Sequence, residues 1–323
     1  MLSQNFIRSK SDMCLYYQVT NNSKTYVVQF VDDILIVGSD ENLIIQLKTQ
    51  LHHTFKTKDI GLASSYLGLH IEQNVHKGFT NLDQISYLKH VLKTFNMLEC
   101  KGVSTPLDSN FNSQILLKDK SENVEIENRC RKLIGYVMYA MIGTRPDLCI
   151  SISILSRFQN CASNDLWKYL KRILRYIKET INLNLTYRKS KNCQNILKAF
   201  VDADWGGDTI SRKSTTGYCL MVFDCLVMWC SKKQPCIALS STEAEYVALS
   251  QCDAEACWLR NLYIKLKITT NDNLCVTIYE DNQSAISAAS NTGQPKRQTY
   301  RFEISFYSTK NIIQYYKTYL YMN

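Results

Sequence analysis

Histidine is scarce in this sequence: there are five, at positions 52, 53, 70, 76 and 90, all in the first third of 323 residues. The later two thirds therefore hold no imidazole for a Cys/His zinc site. No CxxC pair stands out among the 13 cysteines, an odd number without a disulfide framework. Cys225, Cys230 and Cys236, the closest cluster, read as reduced thiols behaving as small buried hydrophobes in an intracellular compartment. No apolar run approaches a membrane span, and "MLSQNFIRSKSDM" has no signal-peptide core, so the expectation is an intracellular protein without a membrane partner. Cytoplasm and nucleus are not distinguished. Repeats and low-complexity tracts are also lacking.

What is present describes an ordered chain. Hydrophobic residues make up 45%, charged residues 21%, and 20 tyrosines are spread along it. The length suits two domains or three small ones. A net charge of +9 is a modest argument for a polyanionic partner.

"YVVQFVDDILIVG", residues 26–38, places Asp32 and Asp33 between two strand-like runs. Burying ionised carboxylates is costly unless they are paired or bind metal, so the doublet reads as a solvated hairpin tip or a cation site. In "ENLIIQLKTQLHHTF", Leu43, Ile44, Leu47 and Leu51 recur at helical spacing. "CKGVSTPLDSN" reads as a turn or linker. Residues 125–188 read as mostly helical, ending in "DLWKYLKRILRYIKET". That helix has an apolar stripe of Trp167, Leu170, Leu174 and Ile177, with Lys168, Lys171, Arg172, Arg175 and Lys178 around the rest. The basic face is either a solvated surface or a contact for nucleic-acid phosphates.

From about residue 196, "NILKAFVDADW" reads as a strand ending in Asp202 and Asp204. A hairpin, "TTGYCLMVFD" and "LVMWCSKKQ", follows. "LSSTEAEYVALSQCDAEACWLRNLYIKL" is a long helix in which Ser240/Glu243 and Thr242/Glu245 both have capping-box spacing, so one glutamate caps and the other is left free. "LCVTIYED" is a last strand running out at Asp281. Such an order can gather three carboxylates from distant stretches. Clustered carboxylates repel, and divalent metal with oxygen ligands, Mg²⁺ above all, relieves this. Two such ions can activate water against a phosphodiester.

Taken together, these stretches resemble the C-terminal part of the Pol polyprotein of copia-type LTR retrotransposons. "FVDDILIVGSDE" resembles its polymerase hairpin; "FKTKDIG", "YLGLHIE" and "CKGVSTPLD" resemble the later palm and thumb. "RKLIGYVMYAMIGTRPDLCISISILSRF" and "WKYLKRILRYIKET" resemble the connection, and "VDADWGGD", "RKSTTGYC", "ALSSTEAEYVALS", "WLR" and "YEDNQSAI" the ribonuclease H module. The resemblance implies an α+β chain with three parts. Residues 1–107 would be a truncated reverse-transcriptase palm and thumb, 108–195 a mostly helical connection, and 196–323 a ribonuclease H-like α/β domain with a mixed sheet, degenerate from about 291.

By carry-over, Asp32 and Asp33 match the polymerase metal doublet, a polymerase remnant here because a third, upstream aspartate is implied and only 31 residues precede Asp32. Asp12 sits in "KSDMCLY", which resembles a noncatalytic stretch. Asp202, Glu245 and Asp281 match three ribonuclease H carboxylates that hold two Mg²⁺, with Mn²⁺ a possible substitute. Asp204 is a further acid on the same strand face. The implied substrate is an RNA:DNA hybrid, with Lys168, Lys171, Arg172 and Arg175 tracking its backbone, and other Pol segments are implied partners. "PKRQTYRFEISFYSTKN" departs from the family, which typically reads RTKHIDIRYHF there. Tyr300 and Phe302, or with one inserted residue Arg301 and Glu303, fall on its His and fourth Asp. Glu303 is thus the candidate fourth catalytic carboxylate, and weakened nuclease activity is the expectation. The alternative is a catalytically inactive nucleic-acid-binding relic.

Overall fold

The computed structural model describes residues 5–20, 23–117, 124–189, 196–268, 274–291 and the backbone of 302–306. The first strands follow the β-branched and aromatic runs: β1 (Ile7–Arg8), β2 (Leu15–Val19), β3 (Lys24–Phe30) and β4 (Asp33–Gly38) form an antiparallel sheet in that order. Helix α1 (Glu41–Thr54) follows, its first turn capped by the Asp40 side chain, which accepts from the amides of Asn42 and Leu43. Of the four apolar residues at helical spacing, Leu47 and Leu51 are buried with Phe6 and Val27, and Leu43 and Ile44 are half-buried.

A second sheet, β5 (Ser65–Tyr66), β6 (Leu69–Asn74), β7 (Phe79–Asp83) and β8 (Leu185–Arg188), is antiparallel throughout. The segment read as mostly helical therefore ends in a strand, because β7 offers Leu185–Arg188 a free edge that local sequence cannot announce. Helices α2 (Ile85–Thr94), α3 (Val124–Gly143), α4 (Cys149–Leu155) and α5 (Asn164–Glu179) share one core, in which Leu88 and Leu92 meet Leu133, Val137, Leu170 and Leu174. This core spans the boundary expected near residue 107. Helix α5 buries Leu166, Leu170, Ile173, Leu174, Tyr176 and Ile177, each apolar side chain contributing about 1.5–3 kcal/mol.

The third sheet comprises β9 (Leu197–Asp204), β10 (Thr215–Val222), β11 (Cys225–Lys233), β12 (Val276–Glu280) and β13 (Phe302–Phe306) in the order β11-β10-β9-β12-β13. The pairs β11-β10 and β10-β9 are antiparallel, whereas β12 runs parallel to β9 and β13 parallel to β12. The β10–β11 hairpin turns through Phe223 and Asp224, both at positive φ (49° and 63°), as a two-residue turn matched to strand twist requires. Helix α6 (Ser241–Lys265) lies on this sheet, where small residues Ala248, Cys252 and Ala256 let it approach Leu197, Val201 and Leu220. Helix α7 (Gln283–Asn291) follows β12. All described cysteines are free thiols. No helix among the described residues is long and apolar enough to cross a membrane.

Candidate metal centre

Parallel pairing of β9 with β12 builds the site. Phe200 is in register with Tyr279, so two residues further on Asp202 and Asp281 emerge at the same end of the sheet. Helix α6 supplies the third acid. Ser240 is its N-cap, its Oγ accepting the Glu243 amide at 3.1 Å, while Glu243 Oε2 accepts the Leu239 amide at 2.7 Å. Glu243 is thus the capping glutamate and Glu245 is the one left to face the sheet. Ligand oxygens of Asp202, Glu245 and Asp281 lie within 4.8 Å of one another, and they are the only such group of three potential metal ligands among the described residues.

The electrostatics are those of acids held together against repulsion. Glu245 is buried and its Oε2 has no hydrogen-bond partner. Its carboxyl is pushed up to about 9, first by burial and then by the charges of Glu280, Asp202 and Asp281. Asp202 reaches solvent, yet desolvation on its inner side and the charge of Asp281 raise it too. A fourth acid, Glu280, was not singled out from the sequence. It is fully buried and pushed up to about 7, chiefly by burial. Its signal was legible: in "VTIYE", alternation sets Glu280 on the same face as Val276 and Ile278, which are core residues. An all-oxygen donor set with unpartnered buried oxygens fits a hard divalent cation such as Mg²⁺.

These shifts carry a pH dependence. The folded state keeps protons on Glu245 and Glu280 to higher pH than the unfolded chain, whose carboxyls titrate near 4.5. Their stabilising contribution is complete below that value and is lost as pH rises toward about 7 and about 9. The metal-free Tm is expected to fall by roughly 5 °C between pH 5 and pH 9. Millimolar Mg²⁺ should shrink that fall. Calorimetric scans would check it, a flat profile in metal-free buffer being the contrary result.

Other candidate residues lie elsewhere. Asp32 and Asp33 are exposed at the tip of the β3–β4 hairpin, whose turn residue Val31 has φ of 51°. Asp204 is turned toward the loop, its Oδ2 crowding the space a Cβ on Gly207 would need. Glu303 belongs to β13, where its backbone pairs with Thr277, four residues before Asp281. That register sets its Cα about 13 Å along the strand direction from the level of Asp281. Tyr300, Arg301 and residues 307–311 of the altered tail lie outside the described residues.

Of the basic residues on α5, Arg172 pairs with Asp108 at 2.9 Å and donates to Thr105 Oγ1. Arg175 donates to the Lys101 carbonyl at 2.8 Å, so these two arginines fasten the 101–108 segment. Lys168 is exposed and Lys171 half-buried.

The family described as reverse transcriptase (RNA-dependent DNA polymerase) matches residues 1–109. The chain is 36% identical over 298 residues, 90% of its length, to the "Retrovirus-related Pol polyprotein from transposon TNT 1-94" of Nicotiana tabacum, and covers 22% of that protein. It is 31% identical over 314 residues, 97% of its length, to the Pol polyprotein from transposon RE1 of Arabidopsis thaliana, covering 21% of it. An Arabidopsis "Uncharacterized mitochondrial protein" is 35% identical over 233 residues, 72% of this chain and 93% of that protein. The chain thus spans about a fifth of these Pol relatives. No solved structure matches it.

Proposed function

The chain belongs to the reverse transcriptase family of copia-type retrotransposon Pol polyproteins, and from that premise we propose that its third sheet is a ribonuclease H-like module that hydrolyses the RNA strand of RNA:DNA hybrids. The observation that carries this is the convergence of Asp202, Glu245 and Asp281 from β9, α6 and the end of β12. Three antiparallel strands followed by two parallel ones, with a helix between the third and fourth, support the same reading. So does the order Asp, Glu, Asp with the glutamate on the helix; integrases and transposases of this fold carry their glutamate last. On this reading residues 1–107 derive from the palm and thumb, and 108–195 from the connection.

Asp202, Glu245 and Asp281 would hold Mg²⁺, which when bound supplies activation of the attacking water and neutralisation of the phosphodiester charge. The protein's part is positioning. Asp202 reaches solvent and meets the substrate side, while Glu245 anchors the centre from below, fixed by the Ser240 cap and the apolar bed beneath α6. Of the four α5 cations implied to track the hybrid, Lys168 and Lys171 remain for phosphates, since Arg172 and Arg175 are engaged within the chain. A hybrid would be recognised by backbone shape and 2′-OH groups rather than base sequence.

A labelled RNA:DNA hybrid incubated with the purified chain in Mg²⁺ or Mn²⁺, beside duplex RNA, tests the proposal. Hybrid-specific cutting is the expected result; no cutting in either metal would overturn it. The second reading, a noncatalytic nucleic-acid-binding relic, is favoured by the altered tail and the register of Glu303, and predicts binding that survives EDTA without cleavage. On its own the chain is expected to extend no primer: among the described residues no third ligand joins Asp32 and Asp33.

A further inference from the structure

Glu280 ends β12, one residue before a proposed metal ligand, and its burial is complete. One carboxylate oxygen, Oε1, accepts the amides of Asp281 and Asn282, both at 3.1 Å. The other, Oε2, has no partner. Capping two amides needs only an acceptor, which a neutral side chain supplies without burying a charge. Glu245, itself buried, likewise leaves its Oε2 unpartnered. Two buried carboxylates with orphaned oxygens, one on α6 and one at the end of β12 beside Asp281, form an arrangement that a cation satisfies and water-free protein does not.

Resting on the reading of Asp202, Glu245 and Asp281 as a divalent-cation centre, we propose that Glu280 is its fourth carboxylate, whose charge helps hold the cations while its bonded oxygen fixes the turn that presents Asp281. This places the additional acid on β12 itself, beside Asp281, rather than on the altered tail.

Glu280→Gln separates the two roles, because glutamine keeps an oxygen to accept both amides but removes the charge. Calorimetric titration of the full chain with Mn²⁺ alone, without nucleic acid, is the measurement. Wild-type protein is expected to bind Mn²⁺, and Glu280→Gln to bind it at least about 10-fold more weakly. Glu280→Asp, which retains the charge on a shorter side chain, should bind Mn²⁺ more tightly than Glu280→Gln. Wild type that binds with Glu280→Gln unchanged, or Glu280→Asp no tighter than Glu280→Gln, overturns the role of Glu280 and leaves the three-acid centre standing. Wild type that binds no Mn²⁺ overturns the centre itself and this role with it.

Discussion

Asp202→Asn is expected to lower Mg²⁺-dependent cleavage of an RNA:DNA hybrid by more than about 100-fold, since altering groups that merely support metal ligands already costs about 10–100-fold. The substitution is nearly isosteric and removes one proposed ligand charge from the group formed with Glu245 and Asp281. Folding should not suffer. Asp202 is raised by desolvation and by the Asp281 charge, so neutralising it relieves repulsion in the metal-free protein, and the metal-free Tm should hold or rise. Initial rates on labelled hybrid together with thermal melts make the check. An Asp202→Asn protein that cuts at the wild-type rate would remove Asp202 from the chemistry, and one that loses activity only by unfolding would make it a structural residue.

Arg145→Ala is expected to destabilise the protein by about 3–5 kcal/mol, the cost of leaving a buried charge without its partner. Arg145 is fully buried, and its guanidinium donates through Nε and Nη2 to both oxygens of Asp147 at 2.6–3.2 Å. It also reaches the Thr180 carbonyl and hydroxyl at 3.3 and 2.6 Å and lies over the Tyr176 ring at 5.6 Å. One side chain thus ties the turn after α3 to the end of α5. Truncation would strand Asp147, whose side chain is 5% exposed, inside the protein. Arg145→Lys should recover little, because an ammonium cannot reproduce the forked contact. Denaturant melts would show the loss, corresponding to a drop of about 10 °C in Tm. A change below about 1 kcal/mol would mean that water reaches Asp147 and that the pair is a surface interaction.

Much of the local structure was legible. Helix α1 follows its apolar spacing, and Asp40 caps it as a short acceptor before a periodic run should. The hairpin of β10 and β11 falls where its two apolar strands were read. At the start of α6 two capping boxes competed, and the cap at Ser240 resolved them, freeing Glu245. The basic face of α5 was legible only as composition: which cations are spent was not, because Asp108 and the Lys101 carbonyl approach from over 60 residues away. Strand β8 was hidden for the same reason, its partner β7 lying about 100 residues earlier. Glu280 is assigned to the core by the two-residue alternation of β12, on the face of Val276 and Ile278, whereas Asp281 stands just past the strand end.

The sequence by itself determined helices α1, α5 and α6, the β10–β11 hairpin and the order of the three acids, because periodicity and turn preferences act over a few residues and depend on chemistry carried by the local stretch. It also determined the family through the resemblance. Tertiary structure alone decided which charges meet: the parallel register of β9 with β12 brought Asp202 level with Asp281, burial of α6 on that sheet aimed Glu245 at both, and the register of β13 set Glu303 apart. Those outcomes depend on long-range pairing and on the loss of water around each carboxylate, and neither is encoded in the spacing of residues along the chain.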